Sequence, residues 1–169
     1  MDNPDRPTVD PITVEVISSA IASIVDEMGE ALIRASYSTN VKERRDCSTA
    51  MFDLHGNTLC QAEPVFVDGK LTAWAVNLAH HADFVDRAHA HIYQEGLRIP
   101  TIRLVKAGVL QQDVEDLILL NCQVPHERRS DFRAQMAANR LAVNRMIALC
   151  TKYGRETVLA ACDALQDYA

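Results

Sequence analysis

Glycine-rich loops, paired cysteines and long apolar runs are all missing from this 169-residue chain, and each absence removes a class of function. The six glycines stand singly, and no Gly-rich phosphate loop, GxSxG elbow or HExxH occurs, so a self-contained ATP-using or serine-hydrolase mechanism lacks its machinery. The five cysteines (Cys47, Cys60, Cys122, Cys150, Cys162) are odd in number, scattered and never in CxxC spacing. That excludes a disulfide framework and a cysteine zinc knuckle, and it fits a reducing cytoplasm. No apolar run reaches the roughly 18 residues that a membrane helix needs. The opening MDNPDRPTVDP is polar and acidic, without the apolar centre of a signal peptide. A soluble, cytoplasmic protein is the expectation. Basic charge is also in deficit: 17 Lys and Arg against 23 Asp and Glu give a net charge of −6, which argues against binding a nucleic-acid backbone. The local basic knots, Lys42-Glu43-Arg44-Arg45 and Glu127-Arg128-Arg129, are interleaved with acids and read as solvated faces.

What is present suits a globular domain, since 48% hydrophobic residues over this length can build one core. Asp10 before Pro11 reads as a helix cap with proline at the first helical position. Ile17, Ile21, Ile24, Met28, Leu32 and Ala35 then recur at three- and four-residue steps, so an amphipathic helix is expected over about 11–36. CSTAMFD (Cys47 to Asp53) and TLCQAE (Thr58 to Glu63) are β-rich and flank His55-Gly56-Asn57 as the turn of a hairpin. Asp68-Gly69, between PVFV and KLTAWAVN, is a stronger hairpin signal, because both positions of such a turn need positive φ. A small antiparallel sheet over about 47–79 follows. Residues 81–110 look loop-rich with short extended pieces. Asp113 to Leu120 reads as a short helix with Val114, Leu117 and Ile118 inward. Pro125 opens a longer helix whose stripe is Phe132, Met136, Asn139, Val143, Met146 and Cys150, and Val158, Leu159, Cys162 and Leu165 mark another after Gly154. Asn139 is the polar member of an apolar stripe and must find a partner, since an unsatisfied buried amide costs about 1–3 kcal/mol. The expected fold class is α+β, with residues 1–169 forming one domain: helical at 11–36 and 113–168, packed on the sheet.

Two constellations carry chemistry. The first is TAWAVNLAHHADF (Thr72 to Phe84). Strand alternation puts Trp74, Val76, Leu78 and His80 on one side and Ala75, Asn77, Ala79, His81 and Asp83 on the other. Geometry alone makes His81 and Asp83 the proton-transfer pair. Yet His80 shares the Trp74 face and as an inward imidazole would need a hydrogen-bond partner or a metal. HHxD matches no established metal-ligand spacing, so polar groups satisfied at a strand end are the leading alternative. His89 and His91 are further donors without a fixed place. The second constellation is KERRDCSTAMFD, where Cys47 beside Arg45 would be reactive only in an exposed, electropositive setting. A helix exit with a solvated face is the competing reading.

Residues DPITVEVISSAIASIVDEMGEALIRASYSTNVKERRDCSTAMFDLHGNTLCQAE resemble the opening of the hydantoinase B/oxoprolinase family, which includes N-methylhydantoinase B subunits, 5-oxoprolinase and acetone carboxylase alpha subunits. VDGKLTAWAVNLAHHADF, YQEGLRIPTIRLVKAGV and PHERRSDFRAQMAANR resemble three further blocks in the same order. The resemblance implies a B-type subunit that works with an A-type, ATP-using partner in a homo- or hetero-oligomer, on a small cyclic amide or ketone. It also implies one divalent metal (Mn, Zn or Fe), with ATP entering only through the partner. His80 is the implied metal ligand, with His81 and Asp83 as catalytic neighbours. Two departures accompany the match. Between Glu63 and Pro64 the chain lacks the segment that carries GTHLPD-like residues in the family, and Phe84-Val85-Asp86 stand where the family has glycines. The expectation is a shortened relative, and its rival is a non-catalytic interaction module that has lost a complete metal site.

Overall fold

A computed structural model describes residues 8–52, 61–81 and 99–168. Helix α1 spans Pro11–Ala35. Asp10 caps it: one carboxylate oxygen accepts from the Thr13 N–H at 3.0 Å and the other from the Thr13 hydroxyl at 2.6 Å. Pro11 contributes a preset φ and has no N–H to leave unpaired. Ile17, Ile24, Met28 and Leu32 form its buried stripe, each worth about 1.5–3 kcal/mol of burial. Ser36 ends the helix, donating its N–H and hydroxyl to the Leu32 carbonyl. The single turn α2, Thr39–Lys42, follows under the Ser38 cap.

Strands β1 (Cys47–Phe52), β2 (Gln61–Val67) and β3 (Lys70–Ala79) make an antiparallel sheet in the order β1-β3-β2. The Asp68-Gly69 turn joins β2 to β3 with φ of +50° and +72°, as its sequence requires. The other expected hairpin does not form. β1 pairs with β3 along its whole length, Cys47 opposite Ala79 and Phe52 opposite Trp74, and never with β2. The physical reason is that the tight Asp68-Gly69 turn commits one edge of the ten-residue β3 to β2, so β1 takes the remaining edge. His55-Gly56-Asn57 lies outside the described residues. Pro64 is tolerated because β2 is an edge strand.

Within the loop-rich stretch, β4 (Val105–Lys106) and β5 (Val109–Leu110) form a small hairpin around Ala107-Gly108, both at positive φ. Helix α3, Gln112–Leu120, buries Glu115, Ile118 and Leu119. Leu117, expected inward, is 53% exposed. The i, i+3, i+4 face centred on Glu115 and Ile118 docks against Phe132, which turns Leu117 toward solvent.

Helix α4, Pro125–Tyr153, ends at Gly154, whose φ of +85° suits glycine alone among common residues, and α5 (Arg155–Tyr168) returns along α1. Ala134, Ala138 and Ala142 of α4 share one core with Ala73, Ala75 and Ala79 of β3. Small side chains on both sides let the helix lie close on the sheet. α1 and α4 pack on the same sheet and on each other, so the architecture is α+β in two layers. Among the described residues no helix is long and apolar enough to cross a membrane.

Candidate functional site at the end of β3

The inner face of β3 is Ala75, Asn77 and Ala79, all buried, and His81 continues that alternation with its side chain 15% exposed. His80 is exposed and held through its backbone, its N–H donating to the Asp46 carbonyl at 2.9 Å. The reading of His80 as the inward imidazole on the Trp74 face is therefore corrected: α4 packs on the opposite face, and the inward histidine is His81. Asp83, paired with His81 in the sequence reading, lies outside the described residues, as do His89 and His91.

His81 meets the first turns of α4. Its Nδ1 is 3.1 Å from Arg128 Nη1 and 3.7 Å from Asp131 Oδ2, and its ring stands edge-on to Phe132 with centroids 5.1 Å apart. The same Arg128 nitrogen lies 3.4 Å from Asp131 Oδ2, and Nη2 reaches Glu127 at 3.3 Å. Arg128 is 2% exposed and Asp131 is fully buried. This corrects the reading of Glu127-Arg128-Arg129 as a solvated face, because Arg128 points into the body of the protein. Asp131 Oδ1 accepts the backbone N–H groups of Tyr37 at 2.9 Å and Ser38 at 3.1 Å. Burial alone would raise the Asp131 pKa. The neighbouring His81 imidazole, with the hydrogen bonds from Ser38 and Tyr37, outweighs it and holds the group well below the ordinary carboxylate range. Asp131 thus pins the α1–α2 corner to α4.

One turn further along α4 a buried amide network begins. The Asn77 amide donates to the Gln135 carbonyl at 2.8 Å and to Asn139 Oδ1 at 2.7 Å, while Gln135 Nε2 donates back to Asn77 Oδ1 at 2.8 Å. Asn139 Nδ2 donates to the Gln61 carbonyl of β2 at 2.9 Å. Here are the partners that Asn139 requires. The network fixes the register of α4 on the sheet, and so the depth at which Arg128 and Asp131 reach His81.

Cys47 does not have the electropositive, exposed setting that reactivity needs. Burial pushes its thiol pKa up, Asp46 adds to that, and Arg45 opposes it only in part. A divalent metal does not fit the described residues as they stand, among which no three His, Cys, Asp or Glu side chains cluster. His80 is exposed, and Nδ1 of His81 faces a guanidinium. Sequence reasoning missed Arg128, Asp131 and Gln135. Their signal was available: extending the Phe132-Asn139 stripe back by one turn reaches Arg128, and Asp131 and Gln135 lie on the same side at i+3 and i+7.

The family model described as hydantoinase B/oxoprolinase matches residues 10–63 and 59–169. An uncharacterized protein of Methanocaldococcus jannaschii is 29% identical over 95% of this chain and 39% of its own length. The caprolactamase subunit beta of Pseudomonas jessenii is 27% identical over 96% of this chain and 38% of its own. The crystal structure of ATP-dependent caprolactamase from the same organism superposes with a TM-score of 0.82 at 26% identity, covering 96% of this chain and 38% of that one. The chain thus spans about two fifths of the length of these relatives. The alignments run over 220 and 218 residues while using 95% and 96% of a 169-residue chain, so within the aligned span roughly 60 residues of each relative have no counterpart here.

Proposed function

Because the chain belongs to the hydantoinase B/oxoprolinase family, we propose that it serves as the B-type component of an ATP-dependent cyclic-amide hydrolase, beside an A-type subunit that uses ATP. The observation that carries this reading is the convergence of three distant sequence blocks. RASYSTN, through the Tyr37 and Ser38 N–H groups, AHHAD, through His81, and PHERRSDFRAQ, through Arg128 and Asp131, meet within hydrogen-bond distance at the end of β3. In this reading the chain binds and orients the ring amide, and the partner supplies the ATP chemistry for which this sequence has no phosphate loop. A metal enters only through His80, with its other donors drawn from Asp83, His89, His91 or the partner. Purified with an ATP-using A-type subunit, the protein should open 5-oxoproline, a hydantoin or caprolactam only when ATP is present, and His80→Ala and His81→Ala should each reduce turnover at least tenfold. Carboxylation of a ketone in the same mixture, without lactam opening, would favour the other chemistry of the family.

The second reading is a non-catalytic assembly module. It is supported by the roughly 60 relative residues without a counterpart and by the two-part match that meets at residues 59–63. No ATP-dependent turnover on any of these substrates, together with stable association with the A-type subunit, would favour it. Stoichiometric metal that is lost in His80→Ala would count against it.

A further inference from the structure

We propose that Arg128 is a positioning residue that fixes the tautomer of His81, so that His81 presents an Nε2–H donor to a carbonyl or oxyanion rather than a lone pair to a metal or a proton. A guanidinium has five N–H donors and no acceptor. At 3.1 Å from Arg128 Nη1, Nδ1 of His81 can only accept, so the proton of the neutral ring sits on Nε2. The two hydrogens of Nη1 have separate destinations, His81 Nδ1 at 3.1 Å and Asp131 Oδ2 at 3.4 Å, whereas Nδ1 and Oδ2 are 3.7 Å apart, beyond direct bonding. Asp131 therefore orients Arg128, and Arg128 orients the ring. Phe132, edge-on at 5.1 Å, limits rotation of the imidazole.

Arg128 and Asp131 both lie on the Nδ1 side of the ring, and the His81 side chain as a whole remains 15% exposed. An Nε2–H on the side of the ring away from those two groups is a donor for an electron-rich oxygen, such as the carbonyl of a lactam or the oxyanion it becomes on attack. The two adjacent histidines then differ in kind. His80, exposed and free of the guanidinium, keeps a nitrogen lone pair, and His81 does not offer one. This rests on the site reading above, and its test is independent of turnover.

The measurement is the pair of side-chain 15N shifts of His81 in uniformly labelled protein above pH 8, where the two tautomers of the neutral ring are distinguished by which nitrogen is pyrrole-type. The expected result is a pyrrole-type Nε2 and a pyridine-type Nδ1. In Arg128→Met, with dispersed backbone signals confirming the fold, the ring should move to the Nδ1–H tautomer or a mixture, and Arg128→Lys, which still donates, should restore the wild-type pattern. Adding 2-pyrrolidinone should shift Nε2 and leave Nδ1 in place. A pyrrole-type Nδ1 in the wild type would mean that His81 donates to Asp131 and would overturn the proposal. So would an unchanged tautomer in Arg128→Met, or a lactam titration that moves Nδ1 alone. Loss of ATP-dependent turnover in the assembled enzyme with the tautomer intact would refute the hydrolase reading and leave this one standing.

Discussion

Replacing Asp131 by asparagine tests whether the α1–α2 corner, α4 and His81 are held as one unit. The substitution keeps an oxygen for the Tyr37 and Ser38 N–H groups but removes the negative charge beside Arg128. Breaking a buried ion pair from one side costs about 3–5 kcal/mol. Arg128 keeps a second contact, to the partly exposed Glu127 at 3.3 Å, which offsets part of that, so a loss of about 2–4 kcal/mol is expected. With urea m-values of about 1–3 kcal/mol/M, the unfolding midpoint should fall by roughly 1–2 M while m stays constant. Acid supplies the second arm. A carboxylate whose folded pKa is depressed contributes stability that is complete above its ordinary pKa of 3.8 and is lost as pH falls from there toward the folded value. The wild type should therefore weaken steeply below about pH 4, and Asp131→Asn should lack that component. Asp131→Asn combined with Arg128→Met should recover much of the loss, because no unpaired charge remains buried. A midpoint shift under about 0.3 M for Asp131→Asn alone would mean that Arg128 is hydrated in solution, and the account of the corner would fail.

Asn77→Ala should cost about 2–4 kcal/mol by thermal or urea unfolding, since it strands the Gln135 side-chain amide and Asn139 Oδ1 in the core; a change within about 0.5 kcal/mol would show that water reaches this network. Cys47 should alkylate with iodoacetamide at pH 7.5 more slowly than a small free thiol and speed up on unfolding in urea, because burial and Asp46 raise its pKa. A native-state rate equal to the free thiol would return Cys47 to the group of reactive candidates.

The parts of this structure that were legible in the sequence are those in which one local preference decides the outcome. Asp10-Pro11 can cap a helix and do little else, and Asp68-Gly69 can take two positive φ values where most pairs cannot. What was not legible depends on competition between distant segments. Whether β1 pairs with β2 or β3 turns on which edge of β3 is already taken, and no residue in CSTAMFD records that. The site follows the same division. Asn139 announced a need for a buried partner, but the partner, Asn77, sits 62 residues away on a strand that reads as apolar. Arg128 was misread for a related reason. A charged residue in a run of charges is ordinarily solvated, and only the fold shows that Asp131 and His81 wait on its inner side.

The sheet order also bears on how this chain can lack a segment its relatives carry and still keep the core. The two family matches meet at residues 59–63, at the entry to β2, and eight residues, 53–60, connect the end of β1 to that strand. Because β1 and β2 each pair with β3 and not with one another, neither ladder depends on the length of that connection. Closure entropy grows only as the logarithm of loop length, so lengthening the connection by some 60 residues changes its cost by about 2 kcal/mol, small against the core formed by α1, α4 and the sheet. The Arg128, Asp131 and His81 cluster is assembled from the end of β3, the first turns of α4 and the α1–α2 corner. Stability and chemistry are therefore separable here: a segment entering at this point could add or remove ligands near β3 without disturbing the donor geometry at His81, and the tautomer of His81 should be the same with the segment or without it.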